Sequence, residues 1–324
     1  MEKLCIIMPL YNDWRSAAVL IPKIDQVIAQ WGNHVTIVMV DDGSQEAMPD
    51  PDELVGDCTH IKELLVIRLV CNQGHQRAIA VGLAYAQSRQ CFSSIFIMDS
   101  DGEDAPDELN DLYAAGRCHP GAIITADRAS RSEGLVFRIG YRCYRFLFFL
   151  LTGMTIRFGN FCHIPACQLD RLVYYPDLWN SLSGCIKKSR LPMVGIASHR
   201  ANRFIGLSKM NFMALVLHGL SVISVFKDVI MLRLMIAAGM TCVLTAFWGI
   251  LSAACPTVGP SLQGVSPAWL PALLFLFSCH AFLMLLVLTL GLLHHRSHQI
   301  YGPVCFWKSY VRSIESVCFQ KTAF

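Results

Sequence analysis

Three carboxylates at alternate positions, Asp99, Asp101 and Glu103, follow the apolar run Ile95-Phe96-Ile97-Met98. The run reads as a buried strand and the acids as its tip. Pro106, with Asp107 and Glu108 behind it, reads as the first turn of a helix. Acids gathered at a strand tip repel one another, and a divalent cation offsets that repulsion. Hard oxygen ligands suit Mg²⁺ or Mn²⁺. A metal held by two or three carboxylates keeps open positions for phosphate oxygens. The chemistry suggested is a metal–diphosphate site at the C-terminal edge of an open α/β sheet, where such folds bind ligands. A solvated acidic turn capping a helix accounts for the same residues taken alone.

The elements that must position this tip are read from the apolar pattern. Residues 4–8 form a first strand, and Pro9-Leu10-Tyr11-Asn12-Asp13 the loop at its tip. Residues 14–30 are helical, with Ala17, Leu20, Ile21, Ile24, Val27 and Ile28 at helical spacing. A second strand, 35–40, is β-branched and continuous, as in a sheet buried on both faces. It ends in Asp41-Asp42-Gly43-Ser44, which suits a base and ribose or a simple turn. Residues 45–60, with Pro49 and Pro51, read as loop. A third strand covers 64–69. The helix 78–88 carries Ala78, Gly82 and Ala86 on one face, which predicts close packing on the sheet. A fourth strand at 94–98, a helix at 107–117 and a fifth strand at 122–126 complete the alternation. Strands alternating with helices predict a doubly wound α/β domain.

The chain has 324 residues, 54% of them hydrophobic and 16% charged. Its mean hydropathy of +0.43 is high for a wholly soluble protein. The apolar excess lies after about residue 210. A net charge of +3 gives no reason to expect nucleic acid. Residues 4–8 are too short for a signal-peptide core and run into Pro9, so the first domain is expected to stay in the cytosol. Fourteen cysteines include no Cys-x-x-Cys pair, and they read as small buried hydrophobes. His294-His295-Arg296-Ser297-His298 reads as the polar end of a membrane span, with a metal tract as the alternative.

Four motifs in order, Pro9-Leu10-Tyr11-Asn12-Asp13, Val40-Asp41-Asp42-Gly43-Ser44, Asn72-Gln73-Gly74 and Asp99-Ser100-Asp101 with Pro106-Asp107-Glu108, resemble the signature of inverting family 2 glycosyltransferases. Within that family the likeness is to polyprenyl-phosphate glycosyltransferases such as dolichol-phosphate mannose synthases. The resemblance implies a GT-A fold, a Rossmann-like nucleotide-diphospho-sugar transferase domain. It implies that Pro9, Tyr11, Asp13, Asp41, Asp42, Gly74 and Asp99 bind the nucleotide sugar. It also implies that Asp99 and Asp101, with Glu103 where glutamine is usual, hold the metal. Asp13 stands where glutamate is usual. Arg128 and Arg131, in Asp127-Arg128-Ala129-Ser130-Arg131, fall where the family holds phosphates. Asn160, in Phe158-Gly159-Asn160-Phe161, falls at a turn near the reacting sugar. Some relatives have an aspartate there. Arg203, Gly206, Ser208 and Lys209 match the family's Arg-x-x-Gly-x-Ser-Lys segment. Asp101, Arg128, Asn160 and Arg203 are thus the expected catalytic residues, and Arg131, Arg138, Ser208 and Lys209 the expected acceptor-phosphate ligands. No Gln-x-x-Arg-Trp segment of the processive polysaccharide synthases occurs.

Arg131, Arg138, Arg142 and Arg145 lie 7, 4 and 3 residues apart, beside Phe137, Tyr141, Tyr144, Phe148 and Leu151. Neighbouring basic and aromatic stripes on one helix suit an anionic membrane surface or a lipid phosphate; a helix packed on the domain is the alternative. Residues 210–226 read as an interfacial helix. Residues 234–255 and 268–293 each meet the length of a membrane span. Lys227, Arg233 and Arg296 flank them, and 256–267 carries no charge, which puts both flanks in the cytosol. The expected layout is a catalytic domain at 1–206, a juxtamembrane helix at 207–233, two spans and a cytosolic tail at 294–324. In that tail Trp307, Lys308, Tyr310 and Arg312 look interfacial.

The resulting expectation is an integral protein of a bacterial inner membrane, with its catalytic domain and both termini cytosolic. It moves a sugar from a nucleotide-diphosphate donor to a polyprenyl phosphate, with inversion and with Mg²⁺ or Mn²⁺. Its partners are donor, acceptor and membrane lipids, with no nucleic acid, and paired spans are compatible with a homo-oligomer. One alternative is transfer to a glycerolipid or a lipid-linked saccharide hydroxyl, with Asp104 or Asp127 as base. Another is an inactive membrane scaffold.

Overall fold

The computed structural model describes residues 2–128, 135–199, 201–205, 212–254, 269–297 and 301–317. The chain divides into two compact units, Met1–Phe146 with Thr155–Val225 and Tyr301–Phe324, and Leu147–Met154 with Phe226–Ile300.

Among the described residues the first unit holds eight strands: β1 (Lys3–Leu10), β2 (His34–Asp41), β3 (Ile61–Leu69), β4 (Ser94–Ile97), β5 (Ile123–Arg128), β6 (Phe158–Pro165), β7 (Met193–Ser198) and β8 (Val311–Val317). They form one sheet in the order β7-β5-β6-β4-β1-β2-β3-β8. β4, β1, β2 and β3 run parallel, the geometry expected of strands joined by crossover helices. β6 runs antiparallel between β4 and β5, and β8 antiparallel along the outer side of β3. The α/β expectation holds, with a mixed rather than wholly parallel sheet.

The helices are α1 (Trp14–Ile28), α2 (Pro51–Val55), α3 (His75–Arg89), α4 (Glu108–Cys118), α5 (Leu135–Thr152), α6 (Ala166–Val173), α7 (Leu182–Ser189), α8 (Phe212–Ser224), α9 (Lys227–Ala254), α10 (Trp269–Ser297) and α11 (Pro303–Phe306). One core packs α3, α6 and α7 on one face of the sheet; a second packs α1, α2 and α4 on the other. Ala78, Gly82 and Ala86 are buried as expected. A Cβ at Gly82 would lie 2.5 Å from Ile7 Cγ2. That approach brings α3 down over the centre of the sheet and fixes where its N-terminus ends.

Several elements differ from the sequence reading. The loop 45–60 contains the short helix α2, with Pro51 in its first turn. The expected turn at 158–161 is the start of β6, because Phe158, Phe161 and Cys162 are buried in the sheet. The tail is not an interfacial segment throughout. Trp307 is 6% exposed and meets Tyr85 of α3 edge-on, at 5.8 Å between ring centroids. On α5 the expected apolar stripe turns inward at Tyr144, whose hydroxyl donates to the Gly219 carbonyl, and at Phe148, which packs on Phe226. Phe146, Leu147, Phe149 and Leu150 are exposed instead.

In the second unit α9 and α10 pack side by side, and each holds a stretch long and apolar enough to cross a membrane, Lys227–Leu251 and Ala272–Gly291. α9 starts at Lys227, so 227–233 is continuous with the first long helix.

Candidate active site

The C-terminal tips of β1 and β2 are stitched together by side chains. Asn12, with φ of 50°, donates its N–H to Ser44 Oγ at 2.8 Å. Its Oδ1 accepts from the N–H groups of Gln45 and Glu46, at 2.8 and 3.1 Å. Tyr11 is exposed beside this junction, whereas Pro9 is buried within β1. Asp41 and Asp42 are also buried. Asp41 Oδ1 accepts from Ser44 N at 2.9 Å, and its Oδ2 lies 3.5 Å from Arg68 Nη1. Asp42 accepts from Gln73 N at 2.7 Å and Gly74 N at 2.8 Å. Burial pushes its carboxyl above the usual range, against the pull of those two bonds. Asp42 therefore clamps the turn in which Gly74, at φ of 92°, opens α3.

At the tip of β4 the acids take separate tasks. Asp101 Oδ1 accepts from Glu103 N at 3.0 Å, and buried Asp104 accepts from Asp99 N at 2.9 Å. The segment 201–205 lies across this tip. Ala201 N donates to the Glu103 carbonyl and Phe204 N to the Asp101 carbonyl. Phe204 covers Gly102, whose φ of 86° and lack of a side chain make room for the ring. The same segment delivers Arg203, whose guanidinium pairs with Asp13 and lies 3.6 Å from Asp101 Oδ2. Three residues far apart in sequence thus meet over the ends of β1 and β4.

On the other side of Asp99 stands His75, the first residue of α3. Its Nε2 is 3.3 Å from Asp99 Oδ1 and 2.9 Å from Asn160 Nδ2. Asn160 Oδ1 accepts from Gln76 Nε2 at 3.1 Å, and Gln76 Oε1 accepts from Leu182 N at 2.8 Å. Desolvation works against a charge on His75, but Asp99, then Asp104 and Asp101, prevail and hold its pKa above the ordinary imidazole value. His75 carries no motif of its own. Its only sequence signal is its place directly after Asn72-Gln73-Gly74.

The structure therefore joins Asp13, Asp99, Asp101, Asn160 and Arg203 around one strand edge. It does not join Asp99, Asp101 and Glu103 into a three-ligand set: among the described residues no three His, Cys, Asp or Glu side chains cluster to hold a metal. Asp101 is turned toward Glu103 N and Arg203, and Asp99 lies beside His75. Asp127, half-buried, accepts from Thr125 Oγ1 at 3.2 Å and faces Gly195. Arg128 and Arg138 are placed by backbone alone, on β5 and α5. Arg131, Gly206, Ser208 and Lys209 lie outside the described residues.

A family model, that of glycosyl transferase family 2, matches residues 5–173. The chain belongs to this family. The matched glycosyltransferase segment runs from β1 to the end of α6, and so ends before Arg203, Gly206, Ser208 and Lys209 but carries the expected site residues from Pro9 to Asn160. Among curated relatives, an undecaprenyl-phosphate 4-deoxy-4-formamido-L-arabinose transferase of Yersinia pestis (strain Pestoides F) is 26% identical, over 94% of this chain and 90% of its own. The protein of the same name from Pectobacterium carotovorum subsp. carotovorum (strain PC1) is 25% identical over 66% of this chain. The chain spans 64% of that relative's length. A crystal structure of glucosyl-3-phosphoglycerate synthase from Mycobacterium tuberculosis, in complex with Mn²⁺, uridine diphosphate and phosphoglyceric acid, shares the fold. Its TM-score is 0.50 at 12% identity, over 70% of this chain and 78% of that one.

Proposed function

We propose that this glycosyltransferase moves a sugar from a nucleoside-diphosphate sugar to a polyprenyl phosphate at a membrane, with inversion at the anomeric carbon. The observation that carries the reading is Arg203 set between Asp13 and Asp101. A guanidinium held by two acids at a sheet edge is oriented for a diphosphate, which offers paired oxygens in the same geometry. Arg203 would take up the charge that develops as the bond from C1 to the diphosphate oxygen breaks.

Asp99 and Asp101 offer hard oxygen donors whose side chains are 22% and 17% exposed, which suits Mg²⁺ or Mn²⁺. Two carboxylates leave room for donor oxygens, so a third protein ligand, of which there is none among the described residues, is not required. When bound, the metal would supply Lewis-acid stabilisation of the departing diphosphate. Tyr11 and the stitched tips of β1 and β2 would form the nucleoside side of the pocket. Asn160, aligned by Gln76, would face the sugar.

The relatives named for undecaprenyl-phosphate support a lipid-phosphate acceptor. So does the state of the alternative bases. Asp104 is buried on Asp99 N, and Asp127 is engaged by Thr125. A hydroxyl acceptor needs a base, whereas a phosphate monoester is mostly ionised at neutral pH, with a second pKa of about 6. One of its oxygens would form the new bond to C1 while the nucleoside diphosphate leaves with the electron pair. The apolar helices α9 and α10 would anchor the enzyme in the bacterial inner membrane. The return of the chain to the sheet at β8 supports a cytosolic location for both flanks.

The test uses purified protein in detergent with Mg²⁺ or Mn²⁺, radiolabelled UDP- and GDP-sugars, and undecaprenyl phosphate. The expected result is label in the organic phase from one donor, lost on adding EDTA. Donor hydrolysis with label absent from lipid would overturn the acceptor.

A further inference from the structure

β8 joins the sheet only after α9 and α10 have been traversed, yet it reaches the donor edge. Arg68 stands at the end of β3, in register with Asp41 of β2 on one side and Ser313 of β8 on the other. Its Nε donates to Glu315 Oε1 at 3.0 Å, and its Nη1 lies 3.5 Å from Asp41 Oδ2. Glu315 also accepts from Ser313 Oγ at 2.8 Å. The Ser313 hydroxyl and the Arg68 guanidinium hold its carboxyl below the usual range. From Asp41 the contacts continue through Ser44 to Asn12 and the loop of Tyr11. An arginine with a carboxylate at each end is oriented by both. Without Glu315, only Asp41 of its two carboxylate partners would remain to orient it.

We propose that Arg68 and Glu315 are positioning residues for the nucleotide. They fix the Asp41 carboxylate, and through it the turn and loop against which the nucleoside rests. The inference depends on the donor reading given above. It assigns the C-terminal strand a part in the donor site, although that strand contributes no residue to the reacting atoms.

The experiment titrates UDP and GDP, each with Mn²⁺, into the full-length protein in detergent. Wild type is compared with Glu315→Ala, Glu315→Gln and Arg312→Ala. Arg312 lies on the same strand but bonds the Val70 carbonyl at 3.4 Å. Both Glu315 variants are expected to bind the preferred nucleotide roughly 3- to 10-fold more weakly, the range of a lost coupled ion pair. Arg312→Ala is expected to bind it as wild type does. In turnover the donor KM rises while kcat stays unchanged. Glu315→Gln keeps the shape of the strand, so it carries the test where Glu315→Ala unfolds. Unchanged affinity in a folded Glu315 variant would overturn the clamp and leave the donor reading standing. Equal losses in the Arg312 and Glu315 variants would reduce β8 to a structural strand and overturn it too. Wild type binding neither nucleotide would overturn the donor reading and the clamp with it.

Discussion

Removing the Arg203 guanidinium takes away the cation set between Asp13 and Asp101 across the strand tips. Arg203→Ala is expected to slow turnover on the order of 100-fold, about 3 kcal/mol of transition-state stabilisation, with the fold retained by circular dichroism. Lysine there recovers only part, because one ammonium cannot meet two carboxylates as a planar fork does. Asp101→Ala is expected to abolish turnover at unchanged melting temperature. Gly102 is held for shape rather than charge. A Cβ there would sit 2.3 Å from the Phe204 ring, at a φ of 86°. Gly102→Ala should therefore displace the segment carrying Arg203, and cost about 1–3 kcal/mol of stability in a urea melt as well as activity. His163 is buried against Phe96, its Nδ1 without a hydrogen-bond partner, and burial pushes its pKa down to about 4. The unfolded chain takes up that proton near pH 6.5, while the folded one resists until about pH 4. Its share of stability is full above the upper value and declines as pH falls through the window, by on the order of 3 kcal/mol in total. His163→Phe should flatten that part of the curve, read as urea midpoints at pH 7 and pH 4.5.

At the scale of elements, α5 presents Phe146, Leu147, Phe149 and Leu150 to the outside, with Arg142 and Arg145 also exposed. Replacing Phe146 and Phe149 by serine is expected to raise the KM for undecaprenyl phosphate in mixed micelles, without changing the donor KM. The pattern of α5 was legible as amphipathic, but which face turns outward depended on α8 and Phe226, which periodicity does not see. β1 to β4 were legible because their apolar runs are continuous, the mark of strands covered on both faces. β6 was not, since Phe158-Gly159-Asn160-Phe161 carries turn residues inside a strand. β8 alternates polar and apolar along an edge and looks like tail. The acids and Arg203 were legible through their motifs. Their partition was not: Asp41 and Asp42 are engaged by backbone and Arg68, and His75 became visible only when α3 was set on the sheet.

For the whole molecule, β3 and β8 are neighbours in one sheet although two long apolar helices separate them in sequence. If those helices cross a bilayer, the chain must cross an even number of times. With both flanks cytosolic as proposed, alkaline phosphatase is expected to be active when fused between α9 and α10 and inactive when fused at either end. The same connectivity governs how the enzyme can be taken apart. Ending the chain after α8, to obtain a version free of detergent, would strip β3 of its outer neighbour β8 and leave a bare row of N–H and C=O groups on that side. That version should aggregate, and a synthetic peptide of residues 301–317 should dissolve it by docking as an added strand. Two fragments that are inert apart would then make a split enzyme, with sugar transfer as the signal that they have met.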